Sequence, residues 1–310
     1  MAFSKEGKSI LSDKEFQRKG FVFSALILPI IGFLIFFVYV NAKSVLMAFQ
    51  TPTYTDRLIE DVSLANFERM FSEGGLAQLG EALCNTLIFF AADILIVFPI
   101  SVIMSYFFFK KIAGYRFFRF VYYLPTIISS SVLVALFRYS IGPGGVIAAL
   151  QSAHGKDPYY FLSHEPSALL TILFYTVMFS FGGNIIIIGG SMNGTSVEVL
   201  EAGEIDGCNR FQELTNLIIP MMWPTLSTMI ILKTAAILSA SGPILAFTKG
   251  TNGTMTLSFL LYALVSGVGQ EKDLYYASAI GVMMTIIVFP IAMAIKHFIY
   301  SDKRDAEDTI

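Results

Sequence analysis

Ionisable and polar side chains inside apolar segments are the residues of this chain most able to do chemistry. Asp93 and Lys233 each lie within a long apolar stretch, where a charge is costly and marks either an ion pair or a functional contact. Four polar residues in similar stretches could hydrogen-bond a hydroxylated solute or hold neighbouring helices together. Those four are Tyr175, Asn184, Ser239 and Ser241.

A polar segment between two apolar runs is the second candidate site. Residues 201–220 read EAGEIDGCNRFQELTNLIIP, with three acids, a glycine at 207 and an amphipathic stretch that ends at Pro220. A membrane protein has little structural need for a loop of this kind. The segment therefore predicts a short helix-turn-helix that lies on the membrane surface and is offered to a soluble partner.

The composition independently predicts an integral membrane protein. Hydrophobic residues make up 55% of the 310 residues and charged residues only 14%, whereas soluble domains carry about 25% charged residues. The net charge of −2 gives no basic signature of nucleic-acid binding, so no nucleic-acid partner is expected. The expected fold is an all-α helical bundle in the lipid bilayer.

Six segments are apolar over about 20 residues, the length that crosses the hydrocarbon core. They are 21–41, 84–108, 117–138, 167–190, 219–247 and 276–299. The predicted organisation is a tail at 1–20, a membrane domain at 21–300 that includes a loop at 191–218, and a second tail at 301–310.

The distribution of lysine and arginine orients the bundle. These residues are concentrated in both tails and in the loop after the second span, and positively charged loops stay in the cytoplasm. With six spans, both termini and the 191–218 loop are then cytoplasmic. The same topology places Cys84 near the outer face and Cys208 in the cytoplasm, so these two cysteines cannot pair.

Motifs for catalysis and metal binding are absent from the sequence. It contains no G-x-x-x-x-G-K-[ST] motif, so the chain does not cradle nucleotide phosphates itself. His154 and His164 share an outer loop but are ten residues apart without a nearby cysteine, which does not predict a metal site. Neither enzymatic activity, a cofactor in this chain nor a bound metal is expected.

The polar loop resembles the EAA loop of permease subunits from binding-protein-dependent ATP-binding-cassette (ABC) importers. Glu201 and Ala202 open the motif, Gly207 falls at its glycine, and the LIIP sequence that ends at Pro220 closes it. Gly203 departs from the family pattern, which has its second alanine there.

Three further blocks resemble the carbohydrate branch of this family, of the maltose and glycerol-phosphate type. They are 62–90 with Asn85-Thr86, 118–150 with Tyr123-Leu124-Pro125, and the Thr/Gly-rich segment 248–263. The last block lacks the T-G-G-P sequence that is usual in sugar permeases.

The resemblance implies a type I importer permease with six transmembrane helices and a cytoplasmic coupling-helix loop between helices 4 and 5. Such a chain is a non-catalytic subunit that forms half of the path for a sugar or oligosaccharide. The implied partners are two ATP-binding cassette subunits that bind ATP and Mg, a second, related permease chain and an extracytoplasmic substrate-binding protein. The implied location is the cytoplasmic (inner) membrane of a bacterium or archaeon.

Within the loop, the resemblance implies roles in coupling to the ATPase. Glu201 is expected either to contact the ATPase or to be a solvated acid at a helix start. Asp206 is expected either to cap the second short helix or to contact the partner directly. Arg210 is expected to pair with Glu201, Glu204 or Glu213, or with the ATPase. Ala202 and Gly203 look like a surface for close contact with the partner. The complete set is Glu201, Ala202, Gly203, Asp206, Gly207, Arg210 and Pro220.

An ion-coupled secondary transporter is the alternative, with Asp93 and Lys233 as its coupling groups. Such carriers usually have more spans and often contain internal repeats. This alternative also leaves the 201–220 loop unexplained.

Overall fold

The computed structural model describes residues 21–51 and 62–307. The predicted N-terminal tail, 1–20, lies outside the described residues, as do 52–61 and 308–310. Within the described part the secondary structure is helical, apart from an isolated bridge between Gln50 and Val62. Six helices there are long and apolar enough to cross a membrane. The all-α fold class with six spans is thus confirmed.

The helices are numbered here in chain order. They are α1 Phe21–Ala48, α2 Ala65–Met70, α3 Glu73–Phe109, α4 Tyr115–Ile127, α5 Ser130–Ile141, α6 Val146–Ala153, α7 Ser167–Phe179, α8 Phe181–Met192, α9 Val197–Ile205, α10 Arg210–Ala235, α11 Ile244–Phe247, α12 Leu257–Ser266 and α13 Leu274–Glu307. Helices α5 and α6 together form one candidate span, as do α7 and α8. Because α13 continues to Glu307, the predicted tail at 301–310 is helical over its first seven residues.

Contacts divide the chain into two compact units. The first holds the chain up to Glu68 together with Leu274–Val282, and the second holds the remainder. In the first unit, the Asn66 amide donates to the carbonyl oxygens of Ala48 at 3.1 Å and Gln50 at 2.8 Å. These bonds tie the end of α1 to the start of α2. Both candidate sites lie in the second unit.

The third span differs from the predicted segment 117–138. Helix α4 ends at Ile127, the backbone is extended at Ile128 and Ser129, and α5 begins at Ser130. Hydropathy reports only that the side chains are apolar. It does not show that Pro125 lacks a backbone donor, and the helix ends two residues after this proline. The candidate span is therefore Ser130–Ala153, and α4 is a separate amphipathic helix.

The fifth span begins and ends earlier than the predicted 219–247, because α10 runs from Arg210 to Ala235 through two prolines. A proline ring crowds the carbonyl four residues before it. Ahead of Pro220 the helix widens to π geometry over Glu213–Ile218, the kind of local adjustment that accommodates such strain. The prediction that the amphipathic stretch ends at Pro220 is therefore wrong. The helix continues through Pro220, and this stretch is the first part of the span.

Buried apolar side chains pack the loop at 191–218 against the neighbouring helices. Leu200 from α9 and Leu214 from α10 belong to one cluster with Met192 of α8 and Val102 of α3. A separate cluster contains Phe89 from the middle of α3 and Ile172 of α7, together with residues of α11 and α12. Leu200 and Leu214 therefore hold the loop against the helices that it joins.

Candidate functional site

The loop reverses direction directly after α9. Cys208 N donates to Gly203 O at 3.0 Å, and Gly207 N donates to Glu204 O at 3.2 Å. Gly207 has a φ of +81°, a left-handed conformation that glycine adopts without strain. These features form a Schellman motif, which satisfies the last carbonyl groups of a helix. The turn is therefore a hydrogen-bonded structure with a defined geometry.

Asn209 begins α10 through a capping box. Its Oδ1 accepts from the backbone N–H groups of Phe211 at 3.0 Å and Gln212 at 2.9 Å, while Gln212 Oε1 accepts from Asn209 N at 2.9 Å. The prediction that Asp206 caps the second helix is therefore wrong, because Asp206 is the C-cap of α9. The sequence carried the signal in its N-x-x-Q spacing, which is a capping-box pattern.

Gly203 lies at the contact between α9 and α10. It is buried, and a Cβ at this position would lie 2.5 Å from Leu217 Cδ1. The missing side chain lets the two helices approach each other. The prediction that Gly203 presents a close-contact surface to a partner is therefore wrong, whereas Ala202 beside it is exposed.

A buried carboxylate joins the loop to α3. Glu213, which is 4% exposed, lies with Oε1 2.7 Å from the Nζ of Lys110 and accepts from the Tyr106 hydroxyl at 3.2 Å on Oε2. Glu204 Oε1 lies 3.6 Å from the same Lys110 Nζ. Lys110 directly follows α3, so the end of that helix holds the start of α10. From the sequence, Lys110 contributed only to the positive charge of the loop after the second span, and no partner was predicted for it.

The exposed end of the loop carries apolar as well as charged side chains. Ile205 is 87% exposed and Phe211 is 73% exposed, and exposed apolar patches mark interaction sites. Arg210 is exposed beside Phe211 and has no salt bridge with a residue in the described ranges. We define the loop tip by its exposed residues Glu201, Ala202, Ile205, Asp206, Gly207, Arg210 and Phe211. Pro220 is also exposed, but it lies further along α10.

An intramembrane ion pair joins α3 and α10 at a second point. Lys233 Nζ lies 2.6 Å from Asp93 Oδ2, and both side chains are partly buried. Asp93 is the first residue of a π-helical segment, Asp93–Val97, which ends two residues before Pro99. Lys233 is near the middle of the predicted span 219–247. In the structure it lies instead in the last turn of α10. A cation is favourable there because the helix dipole is negative at the C-terminus.

A cavity of about 200 Å³ lies beside this ion pair. Its lining is mixed, with apolar residues beside polar ones, and we call it the polar cavity after the polar groups that it contains. Asp93 lines it together with the hydroxyl-bearing residues Thr176, Ser180, Ser239 and Ser241. The structure therefore brings four of the six sequence candidates together: Asp93, Ser239 and Ser241 line the cavity, and Lys233 pairs with Asp93. Such a cavity offers hydrogen-bond donors and acceptors to a hydroxylated solute.

The two remaining sequence candidates, Tyr175 and Asn184, neither line this cavity nor form an ion pair with a residue that does. Tyr175 is buried among aromatic rings, with centroids 5.1 Å from Phe137, 4.7 Å from Phe179 and 5.1 Å from Phe247. Asn184 is half-buried on α8, outside the cavity lining. Tyr175 therefore serves the packing of helices rather than the cavity.

Residues that sequence reasoning noted only as family signatures hold a Thr-rich loop in place. The Asn85 amide donates to the carbonyl oxygens of Gly253 at 3.0 Å and Met255 at 2.7 Å. Thr86 Oγ1 accepts from the backbone N–H of Leu257 at 2.9 Å. The hydroxyl groups of Ser241 and Thr256 are 2.9 Å apart, so this loop adjoins the polar cavity.

Comparison with known proteins shows the family. The family described as "Binding-protein-dependent transport system inner membrane component" matches residues 96–300 of this chain. The chain belongs to this family. The protein is a non-catalytic, multi-pass component of the inner membrane. The permease subunits carry no cofactor, and ATP is bound by partner ATPase subunits. Family membership decides against the ion-coupled alternative.

Individual relatives are similar over most of their length. The "Probable ABC transporter permease protein YesP" of Bacillus subtilis (strain 168) is 28% identical over 262 residues, which cover 84% of each chain. The "Multiple sugar-binding transport system permease protein MsmF" of Streptococcus mutans serotype c is 25% identical, over 85% of this chain and 89% of that one. A solved bacterial alginate ABC transporter with an alginate pentasaccharide-bound periplasmic protein has the same fold. Its TM-score is 0.76 at 23% identity, over 92% of this chain and 95% of that one.

Proposed function

We propose that this chain forms half of the translocation pathway of an ATP-driven importer for a sugar or oligosaccharide. The observation that carries the proposal is the loop tip, where Ile205 and Phe211 are exposed on a turn that is joined rigidly to α10. A soluble partner can cover these side chains. The sugar-transport names of similar permeases support the substrate class.

The proposed partners follow from this role. Two ATP-binding cassette subunits dock on the loop tips of this chain and of a second, related permease, and an extracytoplasmic binding protein delivers the substrate. Both termini and the loop are placed in the cytoplasm, where ATP is. The concentration of lysine and arginine in the tails and around Lys110 supports this orientation.

The proposed coupling uses α10 as a lever. Movement of the tip passes through the packed pair Gly203–Leu217 and through the ion pair of Glu213 with Lys110. From Glu213 the helix continues for about 30 Å, at 1.5 Å per residue, to Lys233 beside the polar cavity. Closure of the ATPase pair at one end therefore shifts the hydrogen-bonding groups at the other end.

The proposal assigns the polar cavity to the substrate path. Asp93, Ser239 and Ser241 line it, and Lys233 holds the Asp93 carboxylate. Hydroxyl and carboxylate groups can exchange hydrogen bonds with sugar hydroxyls without binding them tightly. That property suits a path through which the solute must pass.

Uptake by the reconstituted complex tests the proposal. Co-expression with the ATPase should yield a complex whose substrate uptake requires ATP and is blocked by vanadate. Uptake that an ion gradient drives without ATP would contradict the proposal.

Gly207 variants test the coupling directly. A left-handed conformation costs a residue with a Cβ about 1–2 kcal/mol, and asparagine tolerates it better than most. A Cβ at Gly207 would meet no described atom of this chain within 4 Å, so within this chain the effect comes from the backbone. Gly207→Asn also adds a side chain at the loop tip, and it therefore controls for contact of the new side chain with the ATPase. In the complex that contains Gly207→Leu, the ATPase subunits should hydrolyse ATP without matching substrate uptake. In the complex that contains Gly207→Asn, ATP hydrolysis and uptake should stay coupled. Normal uptake by the Gly207→Leu complex would contradict the proposal that this turn couples ATP hydrolysis to transport.

A further inference from the structure

A second cavity, of about 340 Å³, lies between the end of α3, the helix α4 and the end of α8. Its volume falls within the range of roughly 300–1,000 Å³ that is usual for small-ligand pockets. Lys111 and Arg119 line it with their cationic side chains, and Tyr115, Tyr123 and Asn193 add polar groups. None of the described residues that line it is acidic. The cavity therefore favours an anion.

The two cations of this cavity are not neutralised by acids in the described part of the chain, although the Arg119 guanidinium lies over the Tyr123 ring, 5.5 Å from its centroid. Neither Lys111 nor Arg119 forms an ion pair with an acid in the described part of the chain, whereas the adjacent Lys110 is held by Glu213. Lys111 adopts a left-handed backbone conformation with φ at +49°, which residues with a Cβ rarely do. That turn, between α3 and α4, places a lysine at the rim of the cavity.

Helix α4 presents the cavity and an exposed aromatic surface side by side. Tyr115, Arg119 and Tyr123 follow each other at intervals of four residues, so they lie on one face of the helix. Phe117 and Phe120, on another face, are 67% and 64% exposed. A helix with cations beside exposed aromatic side chains is typical of the membrane interface.

The buried part of the cavity lining, its floor, is apolar except for Ser105, whose hydroxyl donates to Ile185 O at 3.4 Å. One side of the cavity has room for additional atoms. Phe108 and Ile185 belong to the floor. Gly189 and Gly190 also line the cavity, and a Cβ on either would meet no described atom within 4 Å. A ligand with a charged head and an apolar portion matches this arrangement of cationic rim, apolar floor and adjoining aromatic surface.

We propose that this cavity binds the phosphate headgroup of an anionic phospholipid of the cytoplasmic leaflet. Basic pockets between helices at this level of the membrane bind such headgroups. The Lys111 ammonium and the Arg119 guanidinium bind the phosphate, and the acyl chains lie along Phe117 and Phe120. The leaflet assignment rests on the proposed orientation of the chain, whereas the binding chemistry does not.

The test is lipid retention by the purified importer complex, measured by native mass spectrometry after reconstitution in equal amounts of phosphatidylglycerol and phosphatidylcholine. Wild type should retain phosphatidylglycerol preferentially. Each cation near the surface contributes about fivefold to binding, so Lys111→Gln/Arg119→Gln should lose about 25-fold of that preference. Gly190→Leu should also lose it, because the leucine side chain occupies the cavity while every charge remains.

Lys296→Gln is the matched control. It removes a cation from α13 that does not line the cavity, and it should leave the preference unchanged. Equal retention of the two lipids by wild type, or an equal loss in Lys296→Gln, would overturn the proposal.

Inorganic phosphate distinguishes a lipid headgroup from a free anion. Millimolar phosphate should leave the bound phosphatidylglycerol in place, because the apolar portion of the lipid adds to its binding. If phosphate alone binds in phosphatidylcholine vesicles and displaces the lipid, the site is one for a free anion and the lipid assignment is wrong. ATP-dependent uptake is measured on the same vesicles, so loss of lipid preference and loss of transport are scored separately.

Discussion

Lys233 and Asp93 join α10 to α3 through a contact of 2.6 Å, and a second pair repeats this relationship in the opposite sense. There the acid, Glu213, is on α10, and the cation, Lys110, follows α3, at 2.7 Å. About 25 Å of helix separates Asp93 from Lys110, at 1.5 Å per residue. Since the order of the contacts is reversed along α10, the two helices are antiparallel and are held together at two levels.

Removal of the charge on Lys233 should impair transport. An ionised group within a span costs roughly 2.5–3.5 kcal/mol at the centre of the bilayer, and Lys233→Met leaves the Asp93 carboxylate without its cation. We expect Lys233→Met to insert and retain basal ATPase activity but to lose most substrate-stimulated uptake. Reconstituted vesicles give both rates.

A double-mutant cycle separates the pair from the path. If the pair mainly holds α3 to α10, Asp93→Asn should partly rescue Lys233→Met, with a coupling energy of about 0.5–3 kcal/mol. If the groups contact substrate, the double variant should be no better than either single one. Wild-type uptake by Lys233→Met would show that the lysine has neither role.

Loss of the Glu213 carboxylate should loosen the loop. Glu213 is buried and Lys110 is largely buried with it, so Glu213→Gln leaves a cation with a weaker partner, at a cost of about 1–3 kcal/mol. Hydrogen exchange of the backbone amides from 197 to 212 should become faster in the purified complex.

Glu204→Gln provides the control for Glu213. The Glu204 side chain is 68% exposed and lies 3.6 Å from Lys110, and exposed ion pairs contribute about 0–1 kcal/mol. In Glu204→Gln, hydrogen exchange of the backbone amides from 197 to 212 should therefore change little. Equal acceleration by the two variants would contradict the assignment of Glu213 as the anchor of the loop.

The size of the residue at 203 should control the packing of α9 on α10. Gly203→Ala should be tolerated, because the nearest atom is the mobile Cδ1 of Leu217. Gly203→Ile adds three more carbons, and overpacking of this kind costs about 1–3 kcal/mol. We expect Gly203→Ile to abolish ATP-coupled uptake and Leu217→Ala to restore part of it. Normal uptake by Gly203→Ile alone would indicate that the helices can separate without consequence.

Thiol labelling tests the orientation of the chain. Cys208, at the turn of the loop, is half-buried, and Cys84 is exposed on α3. A membrane-impermeant maleimide added to intact cells should leave Cys208 unmodified, and permeabilisation should make it reactive. A Cys84→Ser background removes the other thiol, so any signal from intact cells would come from Cys208 and would reverse the proposed topology.

The sequence by itself determined the class of protein, the number of spans and the position of the loop. Each depends on local information: some 20 consecutive apolar residues cross a bilayer whatever they pack against. The left-handed turn at Gly207 follows equally from nearby residues. The capping box of Asn209 and Gln212 was also readable from spacing, although the prediction assigned the cap to Asp206.

Only the tertiary structure decided which distant residues meet. The spacing of charges in the loop suggested partners for Arg210 among its own acids, but Lys110 holds both Glu204 and Glu213. Similarly, Gly203 is small because Leu217 lies opposite it. Burial and ion pairing depend on distances between side chains from different helices, and hydropathy along one chain contains no such distances.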